Sequence, residues 1–356
     1  MHTLLELEDL GWSPFFATHW QQLAQPGLVP ARVVEEYRGF YRLRSQQGEL
    51  LAEVTGKVHH EATSRESFPA VGDWVAAEPR PGEARARISS VLPRKTKLAR
   101  KVAGREFGEQ IIATNLDTVF VVTSLNSDFN VKRIERYLAL VWKSEAQPVI
   151  LLNKADLCPD ASAYQRELEG IANQVPVHIM TALDLAKLDV VRSYVTRGKT
   201  AAFVGSSGVG KSTIINGLAG QSLPTKEVRE SDDRGQHTTT SRQMIFVPNG
   251  GMVVDTPGMR ELQLWDNETG VERTFEDLAT LALQCKFRNC GHQGEPGCAV
   301  EAAIQNGSLN RERLESYRKL QSELHLQQQK MEPLLAKKEK QRLKTIHKVH
   351  RKKTSL

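Results

Sequence analysis

"GSSGVGKST", residues 205–213, decides the fold of the central part of the chain. It contains the pattern Gly-x-x-x-x-Gly-Lys-Ser between an apolar run that predicts a strand and a segment that predicts a helix. The backbone of such a loop binds phosphate oxygens, its lysine contacts the β- and γ-phosphates, and its serine binds Mg²⁺. A Gly-rich turn without function would not need the lysine, the serine, the strand and the helix together. The predicted phosphate-binding residues are Gly205, Ser206, Ser207, Gly208, Val209, Gly210, Lys211, Ser212 and Thr213, with Ser212 also a ligand of Mg²⁺.

A second motif, "NKAD" at residues 153–156, ends an apolar run and precedes the phosphate loop. The Asp156 carboxylate can accept hydrogen bonds from N1–H and the N2 amino group of guanine, whereas adenine lacks this donor pair. Asn153 can brace the loop, the stem of Lys154 can cover the base plane, and Ala155 completes the motif. The N–H of Ala182, in "MTA" at the end of the next strand, is a candidate donor to guanine O6. Alone the motif also fits a solvated loop, but the phosphate loop favours binding of GTP and GDP.

The motif "DTPG", residues 255–258, follows another apolar run. Asp255 is expected to hold Mg²⁺ through water, and the Gly258 N–H is expected to contact the γ-phosphate. The segment "GQHTTTSR", residues 235–242, lies between the phosphate loop and this motif. A threonine of that segment can complete the Mg²⁺ coordination. Thr239 is the favoured ligand, and the threonines on either side of it stay open as alternatives.

The motifs occur in an unusual order. In an ordinary GTPase the phosphate loop comes first and the base motif last, whereas here "NKAD" precedes "GSSGVGKST". Strands that lie side by side can form one site in any chain order, and domain termini often lie close enough to be joined and reopened elsewhere. The sequence therefore predicts a circularly permuted site in which "DTPG" leads directly into the C-terminal region.

The remaining chain predicts a multidomain protein. Short strands divided by Gly and Pro indicate a small barrel, for which the OB-fold is one candidate, and alternating strands and helices then indicate an α/β sheet. Aromatic residues of the barrel, such as Phe40, Tyr41 and Trp74, can stack on bases or fill the core, and the core is favoured for Trp74. The expected divisions are an N-terminal extension at 1–30, the barrel at 31–112, the permuted α/β domain at 113–270, a helical zinc-binding domain at 271–332 and a basic tail at 333–356.

Three of the four cysteines cluster in "CKFRNCGHQGEPGC". The cluster supplies Cys285, Cys290, His292 and Cys298, and three thiolates with one imidazole suit a closed, structural Zn²⁺ site. Glycines 291, 294 and 297 would let so short a loop surround one ion. Buried thiols without metal are the alternative, although such thiols rarely share a short polar loop. We expect one Zn²⁺ per chain.

Positive charge is concentrated at the C-terminus. Residues 311–356 contain 14 Lys/Arg and 5 Asp/Glu, whereas the whole chain has a net charge of +6. A second basic stretch, residues 87–105, contains seven Lys/Arg. Both stretches can bind nucleic-acid phosphates, and both can equally be solvated faces. No apolar run is long enough to cross a membrane, and the acidic start of the chain does not resemble a signal peptide.

The set of motifs resembles the ribosome small-subunit-dependent GTPase A family, known as RsgA or YjeQ. The resemblance covers about residues 30–300 and rests on "NKAD" before "GSSGVGKST", followed by "GQHTTT", "DTPG" and the Cys/His cluster. It implies an N-terminal OB-fold, a central permuted GTPase and a C-terminal zinc domain. It also implies a role in late maturation of the small ribosomal subunit, whose RNA stimulates hydrolysis.

One position departs from ordinary GTPases. A glutamine that orients the attacking water commonly follows the glycine of the DxxG motif, but Met259 and Arg260 follow Gly258 here. The resemblance implies that His237 takes this catalytic role, because a neutral imidazole can accept a proton from water. The alternative is that His237 only caps a loop or is solvated.

These features predict a cytoplasmic, monomeric, Mg²⁺-dependent GTPase that binds the small ribosomal subunit and its rRNA, without a membrane partner. A different class of function is an RNA-binding or scaffolding protein that binds GTP but hardly hydrolyses it. A third possibility is a GTPase that acts on another RNA or at a membrane, because a basic tail does not specify its partner.

Overall fold

The computed structural model describes residues 6–23, 25–37, 39–62, 64–101, 109–126, 128–172, 174–220, 242–255 and 268–329. The described residues up to 255 belong to one compact unit, and those from 268 onward belong to a second.

Five strands near the N-terminus form a closed barrel. They are β1 (Val29–Tyr37), β2 (Phe40–Ser45), β3 (Gly48–Val54), β4 (Trp74–Pro79) and β5 (Arg85–Val91). β1, β2 and β3 form an antiparallel meander, β3 pairs in parallel with β5, and β4 pairs with both β5 and β1 to close the barrel. Alternate apolar side chains, including Val33, Leu43 and Ile88, fill its interior. The expected OB-type barrel is therefore confirmed.

Helical segments cover and connect the barrel strands. They are the 3-10 turn Leu7–Leu10, α1 (Pro14–Leu23), α2 (Gly56–Glu61) and the 3-10 turn Arg65–Ser67. Trp74 packs edge-on against Trp12, with 4.6 Å between ring centroids, and against Phe16. Trp74 has no exposed surface, so its predicted place in the core is confirmed. Tyr41 is also buried, whereas Phe40 keeps 45% of its surface exposed.

A mostly parallel sheet forms the centre of the chain. Its strands are β8 (Thr118–Ser124), β9 (Gln147–Asn153), β10 (Val177–Ile179), β11 (Thr200–Val204), β12 (Arg242–Phe246) and β13 (Met252–Asp255). The order is β10–β9–β8–β11–β13 with all neighbours parallel, and β12 is added antiparallel to β13. The carboxyl ends of the parallel strands therefore meet at one edge, where open α/β sheets bind ligands.

Helices and a hairpin complete this unit. They are the hairpin of β6 (Lys97–Lys101) and β7 (Glu109–Thr114), helices α3 (Val131–Lys143), α4 (Ala161–Ile171), α5 (Asp189–Arg192) and α6 (Lys211–Ala219), and the 3-10 turns Ala155–Leu157 and Leu185–Leu188. Helix α3 begins where the Asn130 side chain accepts from the Arg133 N–H, and it packs its apolar face on β8 and β9.

The barrel and the central sheet are continuous. β1 pairs antiparallel with β12 at Glu35↔Gln243 and Glu36↔Arg242, so the strands form one eleven-stranded sheet. The sequence did not predict this pairing, because it joins strands that are distant in the chain and belong to different predicted domains.

The second unit is helical, as expected. It contains α7 (Glu268–Thr274), α8 (Glu276–Ala282), α9 (Ala299–Gln305) and α10, residues 311–329. The buried Arg313 of α10 forms two hydrogen bonds with the Asp277 carboxylate, at 2.6 and 2.7 Å, and one with the Thr274 carbonyl at 2.8 Å. These bonds hold α10 on α7 and α8. Among the described residues, no helix has both the length and the apolar character that crossing a bilayer demands.

Candidate nucleotide and metal sites

The phosphate loop connects the carboxyl end of β11 to the start of α6. Gly205 and Gly210 have φ of +144° and +101°, which favour glycine. A Cβ at Gly205 would overlap the Val122 carbonyl, and a Cβ at Gly210 would overlap the Asn153 amide. Each glycine is therefore required both by its conformation and by a close neighbour. Ser212 and Thr213 follow in the first turn of α6, where backbone N–H groups are free to face an anion.

Lys211 is folded onto this loop. Its Nζ donates hydrogen bonds to the carbonyls of Gly205, at 2.7 Å, and Ser206, at 2.6 Å. Burial lowers the pKa of Lys211 to about 8, and the negative charge of Asp255 partly opposes this shift. A phosphate in the loop would supply a much stronger counter-charge than two carbonyl oxygens, so the lysine is placed to respond to it.

Asn153, the first residue of the base motif, connects three parts of the site. It is 1% exposed, and its Nδ2 donates to the Val209 carbonyl of the phosphate loop at 2.7 Å. Its Oδ1 accepts from the Ala182 N–H at 2.9 Å. One buried amide thus fixes the base motif against the phosphate loop and the end of β10. The Ala182 N–H already has this acceptor, and its contact with guanine O6 stays a prediction.

The other residues of the base motif form an open edge. Lys154 has φ of +62°, which turns the chain after β9, and the Ala155 N–H donates to the Met180 carbonyl at 3.2 Å. Asp156 is exposed at the end of this turn. The two motifs therefore meet despite their reversed chain order, because β9 and β11 both flank β8 and end at the same edge.

Oxygen donors for a cation also lie at this edge. Asp255 ends β13, next to β11 through the pair Ala202↔Val254, and Ser212 lies in the helix that follows β11. A carboxylate and a hydroxyl at neighbouring strand ends are the donors that Mg²⁺ prefers. When bound, Mg²⁺ would neutralise phosphate charge. The residues His237, Thr239 and Gly258 lie outside the described part of the chain, as do the two threonines beside Thr239.

Tyr137 is a neighbour of the phosphate loop that the sequence did not reveal. It lies on α3, is 5% exposed, and its hydroxyl forms a hydrogen bond with the Ser206 side chain. Burial raises the pKa of Tyr137, so the hydroxyl is neutral and can act as donor or acceptor. On an amphipathic helix such a tyrosine is indistinguishable in sequence from an ordinary core residue.

The cysteine cluster converges on one point. The ligand atoms of Cys285, Cys290, His292 and Cys298 all lie within 4.8 Å of one another. His292 Nδ1 lies 3.6 Å from Cys285 Sγ and 3.4 Å from Cys298 Sγ, and these two sulfurs are 4.0 Å apart. Tetrahedral Zn²⁺, with bonds of about 2.3 Å to sulfur and 2.0 Å to nitrogen, would separate such atoms by about 3.5–3.8 Å. The four residues therefore fit a closed tetrahedral site.

Two further residues support this loop and were missed in the sequence. Glu295 accepts from the N–H groups of Gly291 and Gln293, and Arg318 of α10 donates to the carbonyls of Gly291 and His292. Glycines 294 and 297 have the positive φ that favours glycine. Near Gly291, however, the residue with positive φ is His292 and not the glycine. The strained backbone conformation therefore falls on His292, which is itself one of the four predicted metal ligands.

Comparison with known proteins decides the family. A family model described as "RsgA GTPase" matches residues 91–265, and one described as "50S ribosome-binding GTPase" matches residues 200–343. The chain is 44% identical over 353 residues to "Small ribosomal subunit biogenesis GTPase RsgA" of Opitutus terrae, covering 96% of each chain. The chain belongs to the RsgA GTPase family. The resemblance of its motifs is thereby confirmed, and the protein is a GTP hydrolase.

Solved structures agree with this RsgA assignment. The crystal structure of YjeQ from Thermotoga maritima matches with a TM-score of 0.63 and 27% identity, over 83% of this chain and 98% of that one. The structure of YloQ, titled a circularly permuted GTPase, matches in fold with a TM-score of 0.61 and 22% identity, over 84% and 95% of the two chains. The expected circular permutation of this chain is confirmed.

Proposed function

We propose that this GTPase binds the small ribosomal subunit and uses GTP hydrolysis to time its own release during late maturation of that subunit. The observation that carries the proposal is the pair of hydrogen bonds made by the Asn153 side chain. They join the base motif to the phosphate loop although the chain order of the two motifs is reversed. The printed name of the Opitutus terrae relative, which refers to small-subunit biogenesis, supports the choice of partner. The intact set of Lys211, Ser212 and Asp255 argues against a nucleotide site that has lost its catalytic parts.

The nucleotide site in this proposal extends from residue 153 to residue 258. Asp156 selects guanine, and the stem of Lys154 covers the base. Lys211 and the loop amides bind the phosphates, and Gly258 contacts the γ-phosphate. Ser212, Thr239 and, through water, Asp255 hold Mg²⁺. The proposed base and phosphate contacts comprise Asn153, Lys154, Ala155, Asp156, Ala182, Gly205, Ser206, Ser207, Gly208, Val209, Gly210, Lys211, Ser212, Thr213 and Gly258.

We further propose that one Zn²⁺ per chain occupies the Cys/His cluster and that His237 positions the attacking water. The proposed domain limits are 31–112 for the barrel, 113–270 for the GTPase and 271–332 for the zinc domain, between an N-terminal extension at 1–30 and a basic tail at 333–356. A protein that acts on assembling ribosomes would work in the cytoplasm, and we propose that it does so as a monomer without a membrane partner.

The basic stretch 87–105 offers fewer free cations for RNA than its sequence suggests. Arg94 forms an ion pair with the buried Asp73 at 2.7 Å, and Lys97 pairs with Glu109 at 2.6 Å. Arg100 donates two hydrogen bonds to the Gln110 side chain. The charges of Arg94 and Lys97 are therefore already partly neutralised, whereas Arg100 keeps its charge because the Gln110 amide is neutral. The basic tail lies outside the described residues and stays a candidate RNA contact.

Turnover measurements with purified subunits test the proposed partner. We expect small subunits to stimulate GTP hydrolysis and large subunits to leave it near the basal rate. The large subunit is the necessary comparison, because one matching family model is described as 50S ribosome-binding. Stimulation by the large subunit alone would refute the proposed partner. No turnover with either subunit would favour the scaffolding alternative.

Replacement of Asp156 tests base selection. Asp156→Asn is expected to weaken GTP binding by roughly 10²-fold or more, because the amide cannot accept from both guanine donors. The variant should gain affinity for xanthosine triphosphate, whose base presents a carbonyl where guanine has an amino group. Equilibrium titration with both nucleotides provides the measurement. Asp160→Asn is a matched control, since Asp160 is exposed nearby but caps α4; equal effects of the two changes would remove Asp156 from the site.

A further inference from the structure

The hairpin of β12 and β13 is held by the barrel at several points. Gln243 of β12 is the ladder partner of Glu35 on β1, and Arg242 is the partner of Glu36. Toward the other end of β12, the Arg44 guanidinium of β2 lies 4.4 Å from the ring centroid of Phe246. These contacts fix β12 to β1 and β2 along its length.

The buried Arg32 of β1 adds a contact with β13. Its Nη1 lies 3.6 Å from the Met252 sulfur, and its Nη2 donates to the Asn115 carbonyl at 3.1 Å. Leu10 and Gly72 also accept hydrogen bonds from this guanidinium through their carbonyls. Arg32 is 1% exposed, so displacing it would leave a buried cation without its acceptors. The barrel therefore contacts both strands of the hairpin.

Two successive strand pairings connect the barrel to Asp255 at the predicted cation site. Glu35 of β1 pairs with Gln243 of β12, and Gln243 pairs with Asp255 of β13. Neighbouring strands lie about 4.8 Å apart, so Asp255 is about 10 Å from β1 through hydrogen-bonded backbone. The other strand of the hairpin begins at Arg242, at the same open end as Asp255 and three positions after Thr239 in the chain. The hairpin of β12 and β13 thus connects the barrel to Asp255, and it begins at the last residue of the threonine-containing segment 235–242.

Arg242 holds the end of the hairpin that adjoins this segment. Its Nη1 donates to the Ile111 carbonyl of β7 at 2.9 Å and lies 3.9 Å from the Glu36 carboxylate, and 18% of its side chain is exposed. Burial lowers the pKa of Arg242, the Glu36 carboxylate opposes this shift, and the positive charges of Arg100 and Arg65 add to it. The ladder between β1 and β12, the β1–β12 junction, spans two residue pairs, and Arg242 belongs to one of them.

We propose that Arg242 is a positioning residue that transmits a change in the barrel, on binding of the small subunit, to the hydrolytic step. Binding that shifts β1 moves Glu36, and the ion pair and the ladder carry this change into β12. Asp255, at the end of β13, is then brought into the arrangement that hydrolysis requires. This inference rests on the proposed binding of the small subunit.

The test compares Glu36→Gln and Arg242→Gln with the wild-type chain. For each protein, basal turnover and nucleotide affinity are measured first, followed by single-turnover hydrolysis over a range of small-subunit concentrations. Both variants should keep nucleotide affinity and half-saturating subunit concentration, while the maximal stimulated rate falls about 10-fold, within the usual range of coupling between sites. Arg242→Lys should recover part of the rate, because it restores the charge but not the fixed guanidinium geometry. In the double variant the effects should not add.

Arg80→Gln is the matched control, since Arg80 pairs with Glu53 at 3.4 Å within the barrel and is not part of the junction. It should keep the full maximal rate. Equal losses in this control, an unchanged maximal rate in Glu36→Gln, or a loss confined to subunit affinity would overturn the proposal. If Arg242→Gln does not fold, the barrel variant Glu36→Gln decides alone. Absence of stimulation in the wild-type chain would instead refute the proposed partner.

Discussion

Cys298→Ser is expected to abolish zinc binding and to unfold the second unit around α9. Structural Zn²⁺ sites contribute on the order of 10 kcal/mol to folding, and a serine hydroxyl is a poor replacement for a thiolate. Cys298 Sγ also caps α9 by accepting from the Glu301 N–H at 3.3 Å. Serine is a favourable residue at that capping position, so the variant preserves the cap and isolates the loss of the metal. Metal analysis should fall from one Zn²⁺ per chain to none.

The loss should be confined to the second unit. Limited proteolysis is expected to cut between residues 268 and 329 in the variant, while guanine nucleotide affinity of the first unit is retained. Cys158→Ser is the matched control, because Cys158 lies in the first unit and outside the metal cluster. It should keep the full zinc content and the wild-type pattern of proteolysis. A zinc-free Cys298→Ser protein that stays protease-resistant would show that the fold does not depend on the metal.

The sequence predicted the parts of the structure that depend on local chemistry. Gly205 and Gly210 follow from the spacing of the phosphate loop, since a positive φ and a close neighbouring group both require glycine. The Cys/His cluster was equally recognisable, because its four ligands share one short loop. Residue type and spacing alone were sufficient in both cases.

Contacts between distant segments were not predictable in this way. The β1–β12 junction joins Glu36 to Arg242, and neither residue has a sequence signature for pairing across the barrel and the α/β sheet. Arg94 and Lys97 suggested an RNA surface, yet their strongest partners are carboxylates of the same unit. The sequence gives the number of charged side chains, but only the fold determines which of them already form ion pairs.

His237→Ala is expected to bind GTP nearly normally and to lose roughly 10²-fold or more of its subunit-stimulated rate, the usual scale for a positioned general base. The base motif and phosphate loop are unchanged in this variant, so affinity should persist. Met259 occupies a position where ordinary GTPases often have a glutamine, and a thioether cannot orient water. Complexes with small subunits should accumulate, because hydrolysis drives release. Single-turnover kinetics at saturating subunits separate this chemical effect from binding.

Two other outcomes would exclude this catalytic role of His237. Stimulation near the wild-type level would mean that the imidazole only caps a loop or that ribosomal RNA supplies the catalytic group. Loss of GTP binding would place the side chain in the architecture of the pocket. The exposed His60 of α2 offers a matched control, and His60→Ala should keep both affinity and maximal rate. Because Glu36→Gln is expected to lower the same maximal rate from the barrel side, combining it with His237→Ala should add little further loss. An additive loss would mean that the junction and His237 act on hydrolysis independently.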